Sequence, residues 1–162
     1  MAEETQETAP RSQRREYGKT LCEQVPHSSH SAWEPDPDRP DPISLLQEQD
    51  ATRVQHLVPI KYGRMVDSPF AFLRGSAVVM SADLSTTPST GLEVQLCGDA
   101  HLSNFGVFAT PERKLVFDLN DFDETHPGPW EWDLKRLAAS AVVAGRGFFV
   151  QSTLSATRST CR

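Results

Sequence analysis

Apolar positions along the chain fall into a few periodic stretches, separated by polar and proline-bearing segments. Asp41-Pro42 has the form of an N-cap followed by proline at the first helical position. Ile43, Leu46, Val54 and Leu57 then follow a loose helical spacing, interrupted by Asp50 and Thr52, which predicts a helix from about 42 to 55. Ser68-Pro69 repeats the start signal. Phe70, Leu73, Ala77, Met80 and Leu84 advance by 3, 4, 3 and 4, the spacing of one amphipathic helix face, with Arg74 and Gly75 inside it. The segment Thr86-Thr87-Pro88-Ser89-Thr90-Gly91 reads as a loop.

The period then changes. Leu92 to Cys97, Phe105 to Ala109 and Leu115 to Leu119 suit short strands, and the turn Pro111-Glu112-Arg113 joins the last two into a hairpin. From Trp130 to about Ala144, the residues Leu134, Leu137, Ala138, Ala141 and Val142 mark another helix. After Gly147 a brief apolar patch, Phe148 to Val150, gives way to a Ser/Thr-rich tail over 151–162 that reads as disordered or frayed. Residues 1–40 read as a disordered arm, because apolar residues are sparse and Glu34-Pro35-Asp36-Pro37-Asp38-Arg39-Pro40 holds neither a helix nor a central strand. Trp33 is the one large apolar side chain near its end, either docked on the domain or exposed. The expectation is an α+β fold over residues 41–150, with helices packed around a short hairpin and no internal repeat.

Composition adjusts this picture in one place. The 162-residue chain carries 16 Lys+Arg against 22 Asp+Glu. Residues 1–50 hold 11 acids and 5 bases, and residues 51–162 hold 11 of each, so the acidity belongs to the leading segment. With no basic excess, a Lys/Arg grip on nucleic acid has no compositional support. No stretch approaches the roughly 20 apolar residues of a membrane span, and the polar start MAEETQETAP lacks the order of a secretory signal. Cys22, Cys97 and Cys161 are dispersed, which suggests neither a disulfide framework nor a metal knuckle and fits a reducing cytoplasm. Cys97 follows an apolar run and reads as a small buried residue.

Acids and polar groups concentrate between Gly98 and Asp133. Gly98-Asp99-Ala100-His101-Leu102-Ser103-Asn104-Phe105-Gly106 lies between two predicted strands, and Asp118-Leu119-Asn120-Asp121-Phe122-Asp123-Glu124 follows a third. Loops at strand ends present reactive groups from a rigid scaffold. In phosphoryl transfer an Asp on such a loop orients the attacking hydroxyl, an Asn a turn later offers an amide oxygen to a divalent metal, and a second Asp beyond the next hairpin bridges metal to phosphates. Asp99, Asn104 and Asp121 stand in those places. Asn104, Asp121 and Asp123 carry the hard oxygen donors that Mg²⁺ prefers.

These residues carry a resemblance. Cys97 through Asn104 resembles the His-Gly-Asp-x-His-x-x-Asn catalytic loop of aminoglycoside phosphotransferases and related kinase-like enzymes, with Cys97 in place of the leading His. Asp121-Phe122-Asp123 is similar to the metal motif of that superfamily, and Gly128-Pro129 and Asp133-Leu134 fall where those enzymes open the next helix. Arg64-Met65, Ser68 through Gly75, Gly98 through Gly106 and Asp118 through Leu137 are similar to the bacterial family called domain of unknown function 2252, over roughly residues 40–150. The resemblance implies ATP- and Mg²⁺-dependent phosphoryl transfer to a small-molecule or unknown hydroxyl acceptor. Asp99 would be the base and Asn104, Asp121 and Asp123 metal ligands; from the residues themselves, His101 reads as a phosphate contact and Arg74 as a phosphate or carboxylate contact, both cofactor-binding. A Gly-rich loop and a phosphate-holding Lys are missing. Lys19, Lys61, Lys114 and Lys135 are the only lysines, and none follows a Gly-rich turn. The resemblance therefore implies a truncated chain, holding the catalytic and metal half of a larger enzyme and inactive by itself.

Blander roles stand beside these. Asp99 could cap a turn, Asn104 could close an Asx-turn, His101 could hold the loop through its backbone, and Arg74 could form a structural ion pair. Asp133 and Arg136 suit capping and bracing of the last helix. Acids at 118, 121, 123 and 124 repel one another unless a cation offsets them. Two alternatives remain: a non-catalytic module, and a haloacid-dehalogenase-like phosphatase in which Asp121, starting Asp-Phe-Asp-Glu-Thr, is the nucleophile at the end of a buried strand. An EF-hand fails for want of its Gly and distal Glu.

Overall fold

The computed structural model describes residues 9–159, and of 148–159 only the helical path. Residues 1–8 and 160–162, parts of the arm and tail read as disordered, lie outside the described residues. The architecture is a mixture of helices and two small antiparallel sheets.

The first difference from expectation is α1, Arg11–Gln24, inside the segment read as disordered. It is rich in Arg, Gln, Glu and Lys, all good helix formers, and it stops ahead of Pro26. Of its side chains only Leu21 is buried. The proline-bearing run 34–40 is non-helical, as its composition requires. It is tied down at its end: the Arg39 guanidinium donates to both Asp83 carboxylate oxygens, at 2.5 and 2.9 Å, and sits 5.9 Å from the Trp33 ring centroid.

The two cap signals hold. Asp41 accepts the Ser44 amide at 2.8 Å and starts α2, Pro42–Asp50; Ser68 accepts the Ala71 amide at 3.1 Å and starts α4, Pro69–Gly75. Between them lies α3, Val58–Met65, which the apolar spacing did not mark. The single helix expected from Pro69 to Leu84 is two, α4 and α5, Ala77–Leu84. The break coincides with other claims on one carbonyl. The Leu73 carbonyl accepts the Ser76 amide at 3.2 Å, the Ser76 hydroxyl at 3.3 Å and Arg136 Nη2 at 2.7 Å, so the Ala77 amide has no claim on it. Leu46, Met65 and Val79 form the core of this helical part, with Leu45, Tyr62 and Val78 around them. Gly75 permits the close approach of α4 to Met65, whose Cγ and Sδ would lie 2.6 Å from an added Cβ.

The expected hairpin is present: β2, Phe105–Ala109, pairs with β3, Leu115–Leu119, in the register Val107 opposite Phe117. The strand expected over 92–97 is β1, Glu93–Leu96, and its antiparallel partner is β4, His126–Pro129. Two prolines and a glycine hide β4 from a strand reading. It is tolerated because this two-stranded sheet has only edges, where a missing amide costs little. The last helix, α6, runs from Glu131 to Ser159, well past Ala144 and through most of the tail read as frayed. No proline interrupts that stretch, and an established helix propagates cheaply. Among the described residues no helix is long and apolar enough to cross a membrane.

Candidate functional site

The loop from Cys97 to Asn104 leaves β1, turns at Gly98 and enters β2. Gly98 has φ +83°, and a Cβ there would lie 1.9 Å from the Glu124 carbonyl oxygen. Only glycine lets this loop lie against the 121–124 loop. The Cys97 thiol reaches the Asp121 carbonyl across the same seam at 3.3 Å. Burial pushes that thiol above its ordinary value, which suits a packing residue and not a nucleophile.

One stripe of α6 holds the loop. Asp133 accepts the Cys97 and Gly98 amides at 2.7 and 3.1 Å; Arg136 Nε donates to Asp99 Oδ1 at 2.6 Å; the Ser140 hydroxyl accepts the Leu102 amide at 3.1 Å. Positions 133, 136 and 140 advance by 3 and 4 and share one helix face. Asp133 and Arg136 therefore brace the loop more than the helix they belong to. Ser140 carried no signal of its own in the sequence.

Asp99 is held on two sides. Arg136 grips one carboxylate oxygen through Nε and Nη2, and His101 Nε2 lies 3.4 Å from the other. Burial works to raise this carboxyl, but His101 and the Arg136 guanidinium outweigh it and hold it below the usual carboxylate value.

The candidate residues divide into two groups. Asp99, Arg74, Asp121 and Asp123 line one cavity of about 210 Å³, together with Arg53, Lys61 and Glu124. His101 and Asn104 do not line it; both are buried behind the loop. Asn104 Nδ2 donates to the Asp99 carbonyl at 2.8 Å, and its own carbonyl accepts the Asn120 amide at 3.0 Å. His101 packs edge-on to Phe70. The metal role expected of Asn104 and the phosphate role expected of His101 thus give way to loop-holding roles, because the tight turn directs both side chains inward.

Two charged lining groups were not singled out from the sequence. Lys61 lies on α3, and Arg53 lies just after α2, in a stretch read as helix. Asp50 accepts Lys61 Nζ at 2.8 Å, and Arg53 pairs with Glu124 at 3.1 Å. Within the acidic run 121–124 only Glu124 is offset by an ion pair among the described residues, to Arg53. Arg74 makes no ion pair among the described residues, nor do Asp121 and Asp123. Among the described residues no three His, Cys, Asp or Glu side chains are grouped to hold a metal ion. The fit to Mg²⁺ therefore rests on the paired carboxylates of Asp121 and Asp123. One or two carboxylates, completed by phosphate oxygens and water, is the usual protein share of a Mg²⁺ site. The cavity is smaller than the roughly 300–1,000 Å³ of pockets that enclose whole small molecules.

The sequence profile of a family described as "Uncharacterized protein conserved in bacteria (DUF2252)" matches residues 53–159. No curated protein and no solved structure matches the chain.

Proposed function

The chain belongs to this DUF2252 family, and from that premise we propose that it binds a polyphosphate with a divalent cation in the Asp99–Asp121 cavity, as a kinase-like phosphotransferase does. The observation that supports this is the mixed lining: Arg53, Lys61 and Arg74 facing Asp99, Asp121 and Asp123 around about 210 Å³. Cations and carboxylates in one small cavity suit a phosphate group and its counter-ion together; either set alone would not.

On this reading each lining residue has a role. Arg74, without an ion pair among the described residues, would take phosphate oxygens in its planar fork. Lys61, steadied by Asp50, adds a second positive point. Asp121 and Asp123 would hold Mg²⁺, which when bound neutralises phosphate charge. Asp99 faces the cavity with its carboxylate ionised and its orientation fixed by Arg136. It is placed to accept a hydrogen bond from an acceptor hydroxyl and align it, the part of proton management that a low-pKa carboxylate does well. ATP and a small hydroxyl-bearing molecule are the substrates this reading requires.

Titration of the full chain with ATP and MgCl₂ by calorimetry tests it. The expected result is Mg²⁺-dependent binding that Arg74→Gln weakens and Asp121→Ala abolishes. Absence of heat at millimolar nucleotide overturns it. A second reading, binding without turnover, draws support from the Asp99–Arg136 pair, which lowers the basicity of the one carboxylate placed to act as base. Binding without ADP release in the presence of candidate alcohols distinguishes it. The phosphatase reading has less behind it, since β3, which leads toward Asp121, is part of an exposed hairpin and not a buried strand.

A further inference from the structure

A cavity larger than the Asp99 site lies elsewhere on the molecule. About 640 Å³ lies between the 30–39 segment and helices α4, α5 and α6. Its walls are apolar: Phe72 and Leu73 from α4, Val79, Met80 and Leu84 from α5, and Trp33 from the arm. The size falls within the range of pockets that enclose small organic molecules.

Few charges reach it, and most are already satisfied. Arg39 and Asp83 neutralise each other through two hydrogen bonds. Arg136 is committed to Asp99 and to the Leu73 carbonyl. Lys135 is the exception. Its ammonium donates to the Thr87 hydroxyl at 2.7 Å and the Pro88 carbonyl at 3.3 Å, both neutral, and it makes no ion pair among the described residues. Three N–H donors with two acceptors leave one to spare. The acid one turn back on the same helix face, Glu131, is engaged by the Thr90 amide and hydroxyl at 2.7 and 2.6 Å. Burial pushes the Lys135 ammonium below its ordinary value, and the Glu131 charge offsets this only in part.

We propose that this cleft is a binding site for a small organic anion with a flat or extended apolar body, whose carboxylate or sulfonate is met by Lys135 and whose body lies against Trp33, Phe72 and Met80. The apolar walls supply contact area, and the single spare positive charge sets the orientation. The site is separate from the phosphate cavity and does not depend on the function proposed for it.

Fluorescence titration of the full chain with 8-anilinonaphthalene-1-sulfonate and with its neutral counterpart N-phenyl-1-naphthylamine tests the proposal. The wild type should bind the anion at least about tenfold tighter than the neutral probe, the worth of one charge-assisted hydrogen bond. Lys135→Gln should erase that preference and leave neutral binding intact. Ala138→Trp, which fills the cleft from the surface of α6, should weaken both probes. Phe117→Ser removes an exposed apolar group of the hairpin and should change neither. Equal wild-type affinity for the two probes overturns the proposal even if Lys135→Gln does not fold. Loss of the signal in Phe117→Ser, with none in Ala138→Trp, moves the binding to the hairpin and overturns it too.

Discussion

Arg136 is the side chain whose loss should be felt most widely. It is 3% exposed and its guanidinium joins three elements: Asp99 on the loop, the Leu73 carbonyl at the end of α4, and Met80 Sδ on α5 at 3.5 Å. Arg136→Met keeps most of the volume and removes the charge and every donor. Asp99, whose side chain is only 17% exposed, then keeps its negative charge with His101 as its nearest partner. Removing one member of a buried pair costs about 3–5 kcal/mol. The Leu73 carbonyl retains its bonds from Ser76, so it is not orphaned. This places Arg136→Met near about 3 kcal/mol, the lower end of that range. Asp99→Asn leaves the buried guanidinium short of its counter-charge and should cost a similar amount. The double variant removes both charges, so its cost should fall short of the sum by about 1–3 kcal/mol. Urea unfolding followed by fluorescence of Trp33, Trp130 and Trp132 measures all four proteins. A cost below about 1 kcal/mol for Arg136→Met, or simple additivity in the double variant, would refute the reasoning.

Further outcomes are open to measurement. Gly98→Ala combines a left-handed backbone with a clash against Glu124, and should lower stability by about 2 kcal/mol or more; an unchanged urea midpoint would remove the steric account. Ser140→Ala strips the Leu102 amide of its acceptor in a buried setting, at about 1–3 kcal/mol, with slower exchange protection lost first at Leu102. Asp50, held low by Lys61, and Glu131, where the bonds from Thr90 outweigh burial, join Asp99 in having carboxyls below their ordinary values. Each binds its proton more weakly folded than unfolded. Their contribution to stability is complete above the unfolded carboxyl values of about 4 and is lost as pH falls through the lower folded values. The melting temperature should therefore drop on acidification below about pH 4, and less so in Asp99→Asn; a flat profile would contradict these assignments.

Local signals in the sequence were read well where a few adjacent residues decide the structure. Asp41-Pro42 and Ser68-Pro69 start helices because the cap and the fixed proline φ act within one turn. The β2–β3 hairpin was legible because its turn and its alternation are contiguous. Elements settled by distant partners were not legible. The stop after Gly75 coincides with a claim on the Leu73 carbonyl by Arg136, 61 positions later. Strand β4 exists because β1 offers it an edge, against the preference of Pro127, Gly128 and Pro129. The candidate site divides in the same way. Asp99, Asp121 and Asp123 were found by motif and do share a cavity. Arg53 and Lys61 were not, because only the turn after α2 and the packing of α3 on α4 bring them there. Asn104 and His101 were identified by motif too, but a motif names residues without saying which way a tight turn points them.

The stripe Asp133, Arg136 and Ser140 has a consequence for inheritance and for engineering. The loop from Cys97 to Asn104 takes its shape from a helix that begins some thirty residues later, so the two segments behave as a single heritable unit. Transplanting the loop alone onto another scaffold would deliver its residues without its conformation. Inserting one residue between 133 and 140 would turn the stripe by about 100° and release the loop while leaving every loop residue unchanged. A chain that lost its chemistry in that way would look intact to any comparison that scanned the loop alone.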